Sequence, residues 1–242
     1  MTDAARVIAT DDQAALSKVS CVRRQYWSDS ALEDLIPRGP RRSPIIHAGY
    51  FCRFKVISEI FEKVLAGGFA QVVVLGAGSD TAFWRLRIGE EHPHINWFEI
   101  DFPKNLEFKS EKMEKTSHGQ FANYFPVPGD LRETAIIENA LVKAGIDLSA
   151  KTFLISEVVL AYLTAECSTN VIRWIASKFC ECLFVEFEQI NPTSTFGRVM
   201  TQHFEKIQSP IQTIEHLPTI DDRLARFKNA GFMHFGTGLK SI

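Results

Sequence analysis

Residues 70–86 read AQVVVLGAGSDTAFWRL, and this stretch decides the fold. Positions 70–75 are a short, continuously apolar run rich in valine, the pattern of a strand buried on both faces inside a parallel sheet. Gly76-Ala77-Gly78 follows with no spacer, and residues 80–86 then carry a helical pattern. Glycines between a strand and a helix let the backbone approach a ligand closely, at a helix N-terminus whose free N–H groups favour an anionic group. A plain tight turn uses the same glycines, so the motif alone specifies no ligand. The dinucleotide fingerprint also wants a third glycine at position 81, where this chain has Thr81, and that disfavours a nicotinamide cofactor.

Downstream, the pattern repeats. Residues 95–100 (INWFEI) read as a second strand ending at Asp101, residues 124–127 as a third ahead of Gly129-Asp130-Leu131, 152–156 (TFLIS) as a fourth and 182–187 (CLFVEF) as a fifth. Helical patterns over 133–143 and 165–179 separate them. This alternation predicts a doubly wound, mostly parallel α/β sheet, and right-handed crossovers place every strand's C-terminal end on one rim. Helices are also expected over 196–207 and 221–230, and the eleven residues after Gly231 leave room for a sixth strand.

Upstream, Phe54, Ile57, Ile60, Phe61, Val64 and Leu65 mark an amphipathic helix that Gly67 and Gly68 terminate. Residues 12–34 also look helical. The stretch 36–44 (IPRGPRRSP), with three prolines and a glycine, breaks that pattern as a basic loop. Residues 1–14 are small and polar and are expected to be a mobile tail, leaving 15–242 as one domain. A length of 242 residues with 45% hydrophobic and 23% charged side chains suits a globular core and excludes disorder and collagen-like structure.

Twenty-seven Lys and Arg against twenty-nine Asp and Glu give a net charge of −2, so any nucleic-acid contact falls to a local patch, for which Arg38, Arg41 and Arg42 are the candidates. Cys21, Cys52, Cys167, Cys180 and Cys182 are scattered and form no CxxC pair, against a disulfide framework or structural zinc. No signal-peptide core and no membrane-length apolar run occurs, which predicts a soluble, cytoplasmic protein.

Three carboxylates fall on the predicted rim. Asp101 closes the second strand, where an acid accepts from both hydroxyls of a ribose; a solvated strand end is the alternative. Asp130 follows the third strand. Glu157 interrupts the apolar run FLISEVVLAYL, where a carboxylate costs several kcal/mol unless it is paired or meets a ligand. From spacing alone, Lys18 and Arg53 read as surface charges snorkelling from helices. His47, His203 and His216 lack metal-ligand spacing, and no Gly-x-Ser-x-Gly, Walker or Cys–His pattern occurs.

LGAGSDTAFWRL (75–86), EIDFP (99–103), GDLRE (129–133), SEVVLAYL (156–163) and FEQINPTSTFGRVM (187–200) together resemble the leucine carboxyl methyltransferase family. The resemblance runs in register from position 15 to position 231. It implies S-adenosylmethionine-dependent carboxyl methylation on a Rossmann-like class I methyltransferase fold. One branch of the family methylates the C-terminal leucine of the protein phosphatase 2A catalytic subunit. The other completes the wybutosine base of phenylalanine tRNA by methyl-esterifying its α-carboxyl group and methoxycarbonylating its α-amino group with carbon dioxide. ALSKVS (15–20), IPRGPRRSPIIHAGYFCR (36–53), MTQHFEKIQSPIQTIEHLP (200–218) and RFKNAGF (226–232) look more like the tRNA branch.

Carried over, the family's cofactor contacts fall on Lys18, Arg53, Gly76, Asp101, Asp130, Leu131 and Glu157. Arg53 would also steer the substrate carboxylate, and Tyr162 would line the transfer region; no metal is implied. Past Gly231 the family continues through further strands, and its tRNA branch adds a kelch-type propeller. GTGLKSI (236–242) does not match that continuation, so the sheet is expected to be incomplete at its C-terminal edge. A non-catalytic fragment that binds cofactor or partners is the reading of another class.

Overall fold

A computed structural model of the chain describes residues 3–36, 39–116, 118–234 and 236–237, with the backbone alone for 3–10 and 12. Three helices precede the sheet: α1 (Asp3–Val22), α2 (Ser30–Leu35) and α3 (Pro44–Ala66). Strands and helices then alternate as β1 (Gln71–Leu75), α4 (Ala82–Arg85), α5 (Ile88–Glu91), β2 (Asn96–Asp101), α6 (Pro103–Glu114), β3 (Tyr124–Pro128), α7 (Thr134–Lys143) and β4 (Thr152–Glu157). A 3-10 turn (Leu160–Tyr162), α8 (Ala165–Lys178), β5 (Cys182–Phe187), α9 (Thr195–Lys206) and α10 (Ile220–Ala230) complete the order.

All five strands are parallel, in the order β3-β2-β1-β4-β5. The chain leaves β1 toward β2 on one side and returns to β4 on the other, so the switch point lies between β1 and β4. Leu75 pairs with Ile100 and with Ser156, which brings the ends of β1, β2 and β4 level on one rim. Alternate side chains serve two cores. Val73, Leu75, Phe98, Ile100 and Leu154 pack with Ile137, Leu141, Val171 and Ile175 of α7 and α8. Val72, Val74, Trp97, Phe153 and Ile155 pack with Ile57, Phe61 and Val64 of α3 and with Phe83. Every residue of β1 is buried, as its valine-rich run requires.

Three expectations are corrected. The helix expected over 12–34 is two: α1 stops at Val22, Gln25 turns left-handed with φ 63°, and α2 restarts behind Asp29. The segment expected as a tail is helical from Asp3, and it is docked, because the Asp11 carboxylate accepts from Ser79 N at 2.9 Å and from its hydroxyl at 2.6 Å. No sixth strand follows α10 among the described residues; positions 235 and 238–242 lie outside them. Among those described, β5 therefore has no neighbour on its outer side, and Leu183 on it is 44% exposed.

Asp29 is buried, caps α2 by accepting from Leu32 N at 3.0 Å, and accepts from the Thr81 hydroxyl at 2.8 Å. It thus ties the N-terminal helices to the loop after β1. Asp29→Ala is expected to lower stability by about 2 kcal/mol, from a lost cap and an orphaned hydroxyl. Urea unfolding checks this, and a loss below about 0.5 kcal/mol would mean the tie is idle.

Candidate functional site

The strand ends open into a cleft of about 1240 Å³. Its floor is the loop Gly76–Asp80 together with Asp101, Asp130, Leu131 and Glu157. One wall is α1 and α3, through Lys18, Ile45, Ile46, Tyr50 and Arg53; the other is the turn 158–164 and α9, through Tyr162, Phe196, Val199 and Met200. Every residue expected at the site lines this cleft, including Lys18 and Arg53, which spacing alone assigned to the surface.

Four charges meet at its inner end. Lys18 Nζ lies 3.2 Å from Asp80 Oδ2 and 3.4 Å from Glu157 Oε1. Arg53 Nε donates to Glu157 Oε1, and its Nη2 donates to the Glu157 carbonyl at 3.2 Å. These side chains are only 14–21% exposed, so their attraction is weakly screened. Burial works against the Lys18 ammonium, but Glu157 and Asp80 outweigh it and raise its pKa. Burial likewise opposes the Asp80 carboxylate, and Lys18, Arg85 and Lys109 overcome this, bringing it down to about 2. Arg53 is raised because Glu157 outweighs its desolvation. Lys18, Arg53, Asp80 and Glu157 thus form one linked set of two basic and two acidic side chains. Of the two options open to Glu157, a protein partner or a ligand, Lys18 and Arg53 supply the first, and the carboxylate-binding face of Arg53 is thereby already shared with a protein acid.

Gly76 adopts φ 61° and Gly78 φ 47°, conformations that side chains rarely take. A Cβ on Gly76 would lie 2.4 Å from a Val159 methyl, and one on Gly78 would lie 2.3 Å from an Asp11 oxygen. Protein atoms therefore crowd both glycines, and the close approach inferred for Gly76 is made by the turn after β4. Asp101 is pinned by Gly78 N at 2.6 Å, Phe102 N at 2.6 Å and Asn105 Nδ2 at 2.8 Å. A carboxylate accepts about four such bonds, so one place is left, enough for one hydroxyl without displacement. Burial raises the Asp101 pKa despite those bonds.

Asp130 accepts from Arg132 N and Nε, each at 2.9 Å, and pairs with its guanidinium; burial is outweighed and its pKa is lowered. Leu131 is buried beside it, and Tyr162 is 8% exposed with its ring 6.2 Å from that of Phe204. Sequence reading passed over Asp11, Asp80, Asn105 and Arg132. Asp80 was detectable in principle, since it lies two residues past the glycine turn, at the start of the helical pattern. Asp11 acts on a segment 68 residues away, whereas Asn105 and Arg132 act on acids four and two positions off and carry no distinguishing local pattern.

Beneath this floor lies a second charged cluster. Lys109 Nζ donates to Glu99 Oε2 at 2.6 Å and to the Asp80 carbonyl at 2.9 Å, and the Tyr124 hydroxyl donates to Glu99 at 2.7 Å. It holds the backbone of Asp80 from below while Lys18 meets the side chain from above. Among the described residues, no group of His, Cys, Asp and Glu is placed to hold a metal ion, and no helix is long and apolar enough to cross a membrane.

The residues present fit an adenosyl amino acid in chemistry: a strand-end acid with one acceptor place for a hydroxyl, a buried leucine beside a second acid for a heterocycle, and two cations for a carboxylate. Comparison with known proteins agrees. The family model described as leucine carboxyl methyltransferase matches residues 2–176. The tRNA wybutosine-synthesizing protein 4 of Homo sapiens is 33% identical over 252 residues, covering 94% of this chain and 37% of that protein. The leucine carboxyl methyltransferase 1 homolog of Arabidopsis thaliana is 31% identical over 89% of this chain and 71% of its own length. The chain thus spans little more than a third of the wybutosine relatives it matches. Among solved structures, a DUF574 family protein from Streptomyces avermitilis shares the fold with a TM-score of 0.55 at 14% identity, covering 83% of this chain and 82% of that one. An O-methyltransferase family protein from Burkholderia thailandensis does so with a TM-score of 0.52 at 16% identity, covering 81% and 57%.

Proposed function

Because the chain belongs to the leucine carboxyl methyltransferase family, we propose that it moves a methyl group from S-adenosylmethionine to the side-chain carboxylate of a wybutosine precursor in phenylalanine tRNA. The observation that carries this reading is the cleft itself, charged at its inner end and apolar at its mouth. Ile45 and Phe196 flank that mouth at 65% and 61% exposure, and a planar, enlarged base suits such walls. The similarity to the wybutosine relatives supports the same choice.

Bound S-adenosylmethionine supplies an activated methyl group. The acceptor carboxylate is ionised at neutral pH, so the chain needs neither a covalent nucleophile nor a strong base. Its work is alignment and exclusion of water. In this reading Asp101 holds a ribose hydroxyl, Asp130 and Leu131 hold the adenine, and Gly76 shapes the floor. Lys18 and Arg53 meet the carboxylate of the methionine moiety. Arg53 also orients the acceptor carboxylate, with Tyr162 lining the transfer region. Of the basic patch, Arg42 lines the cleft, Arg41 is exposed and Arg38 lies outside the described residues; Arg41 and Arg42 offer charge to the phosphate backbone. Carbon dioxide would enter as co-substrate for a second step on the α-amino group.

The test uses labelled cofactor with phenylalanine tRNA from a strain lacking the last modification steps, and separately with the phosphatase 2A catalytic subunit. One added methyl on the tRNA is the expected result. Label only in the phosphatase overturns it, and so does the absence of cofactor binding by a sample that melts cooperatively.

A further inference from the structure

The turn between β4 and the 3-10 segment carries much of the cleft wall, and its backbone is unfavourable. Val158, a β-branched residue, sits at φ 59°, a conformation that costs of order 1–3 kcal/mol and persists only where neighbours enforce it. Val158 N donates to the Phe187 carbonyl at 2.8 Å. Val159 N and Ala161 N both donate to one atom, Glu188 Oε1, at 3.0 and 3.2 Å. Beyond these bonds, Val159 crowds the position that a Cβ on Gly76 would take. Glu157, Val158, Val159 and Tyr162 all line the cleft.

We propose that Glu188 is a positioning residue for methyl transfer: through its hydrogen bonds to Val159 and Ala161 it sets the turn that presses on Gly76 and presents Glu157 and Tyr162 to the cleft. The inference rests on the proposed methyl-transfer reading and assigns the site a control point outside its lining. Glu188 also has a second oxygen, Oε2, that is buried and has no hydrogen-bond partner among the described residues. Such an atom is tolerated far better protonated than charged. Burial, with the Glu186 carboxylate two residues back on β5, drives the Glu188 pKa up to about 8, against the pull of Arg223 on α10 and the two backbone donors. On α3, Arg53 also feels its charge. The carboxyl is therefore largely neutral near physiological pH. A raised carboxyl pKa contributes stability that is complete below its unfolded value of 4.5 and is lost as pH rises through about 8. Above that window the charged group is drawn toward water, and its hold on the turn weakens.

Glu188→Gln copies the neutral form, keeping the acceptor and removing the titration. Glu188→Ala removes the acceptor. Binding of S-adenosylhomocysteine, measured by calorimetry, needs no tRNA. At about pH 7, Glu188→Ala is expected to bind about tenfold more weakly than the parent, and Glu188→Gln within about threefold. Between about pH 7 and about pH 9 the parent should weaken several-fold more than Glu188→Gln. Parent-like binding by Glu188→Ala, or equal loss in both variants, overturns the proposal. If Glu188→Ala does not melt cooperatively, the pH comparison decides alone, and parallel profiles overturn it. Failure of the parent protein to bind at all strikes the methyl-transfer reading instead.

Discussion

Lys109→Met is expected to remove about 3–5 kcal/mol of stability. Lys109 and Glu99 are 1% and 0% exposed, so neither charge has water to fall back on. The direct contact of 2.6 Å, the Tyr124 hydroxyl and the Trp97 indole N–H at 3.2 Å together satisfy Glu99. Even so, burial keeps the Glu99 pKa above its ordinary value, with Lys109 the strongest opposing influence. Without the ammonium, Glu99 must take up a proton or be stranded as a charge. A second change, Glu99→Gln, should recover a large part of the loss, since the amide needs no counter-charge. Urea unfolding of the single and double variants reads this directly, and a loss under about 1 kcal/mol for the single variant would show that the pair is dispensable. The Asp80 carbonyl loses its donor at the same time, so cofactor affinity should fall in the single variant even where it remains folded.

Arg53→Ala should lower cofactor affinity by about 100-fold, within the range for truncating one partner of a buried charged pair. The change removes one of two cations at the inner end of the cleft and leaves Glu157 facing Lys18 alone. Arg53→Lys should recover little. Arg53 Nε and Nη2 reach two different atoms of Glu157 in a fixed fork, and its guanidinium carbon lies 5.5 Å from the Tyr50 ring centre and 5.9 Å from that of Phe187. A compact ammonium reproduces neither feature. Calorimetry with S-adenosylhomocysteine checks both variants; Arg53→Ala binding within about threefold of the parent would remove Arg53 from the cofactor site.

Elements whose pattern is local were legible in the sequence, and those defined by distant partners were not. The valine run of β1 and the alternating helices specify a parallel sheet from neighbouring residues alone. Glu157 stood out because it breaks an apolar run. Lys18 did not, because a lysine on an amphipathic helix is ordinary until Asp80 and Glu157 are brought against it. Residues 1–14 read as a tail because their polarity offers no core, whereas the docking of Asp11 on Ser79 is polar. Glu188 gave no local signal at all, since its partners are backbone groups of another segment. Gly76 was singled out correctly as a special position, but the atom that excludes a side chain there belongs to Val159.

The charge cluster also has a history within each newly made molecule. Arg53 and Glu157 lie 104 residues apart, so at about 5–20 residues per second a ribosome needs roughly 5–20 s between delivering the first and the second. During that interval Asp80 is available to Lys18, but Arg53 has emerged without Glu157, and β1 has no β4 to pair with. Arg53 is then the cation of the cluster whose acid partner has yet to be made. Emergence of β4 supplies Glu157 and completes the charge cluster, while β5 and the α9 wall of the cleft follow later still, so the pocket is finished only after α9 has been made.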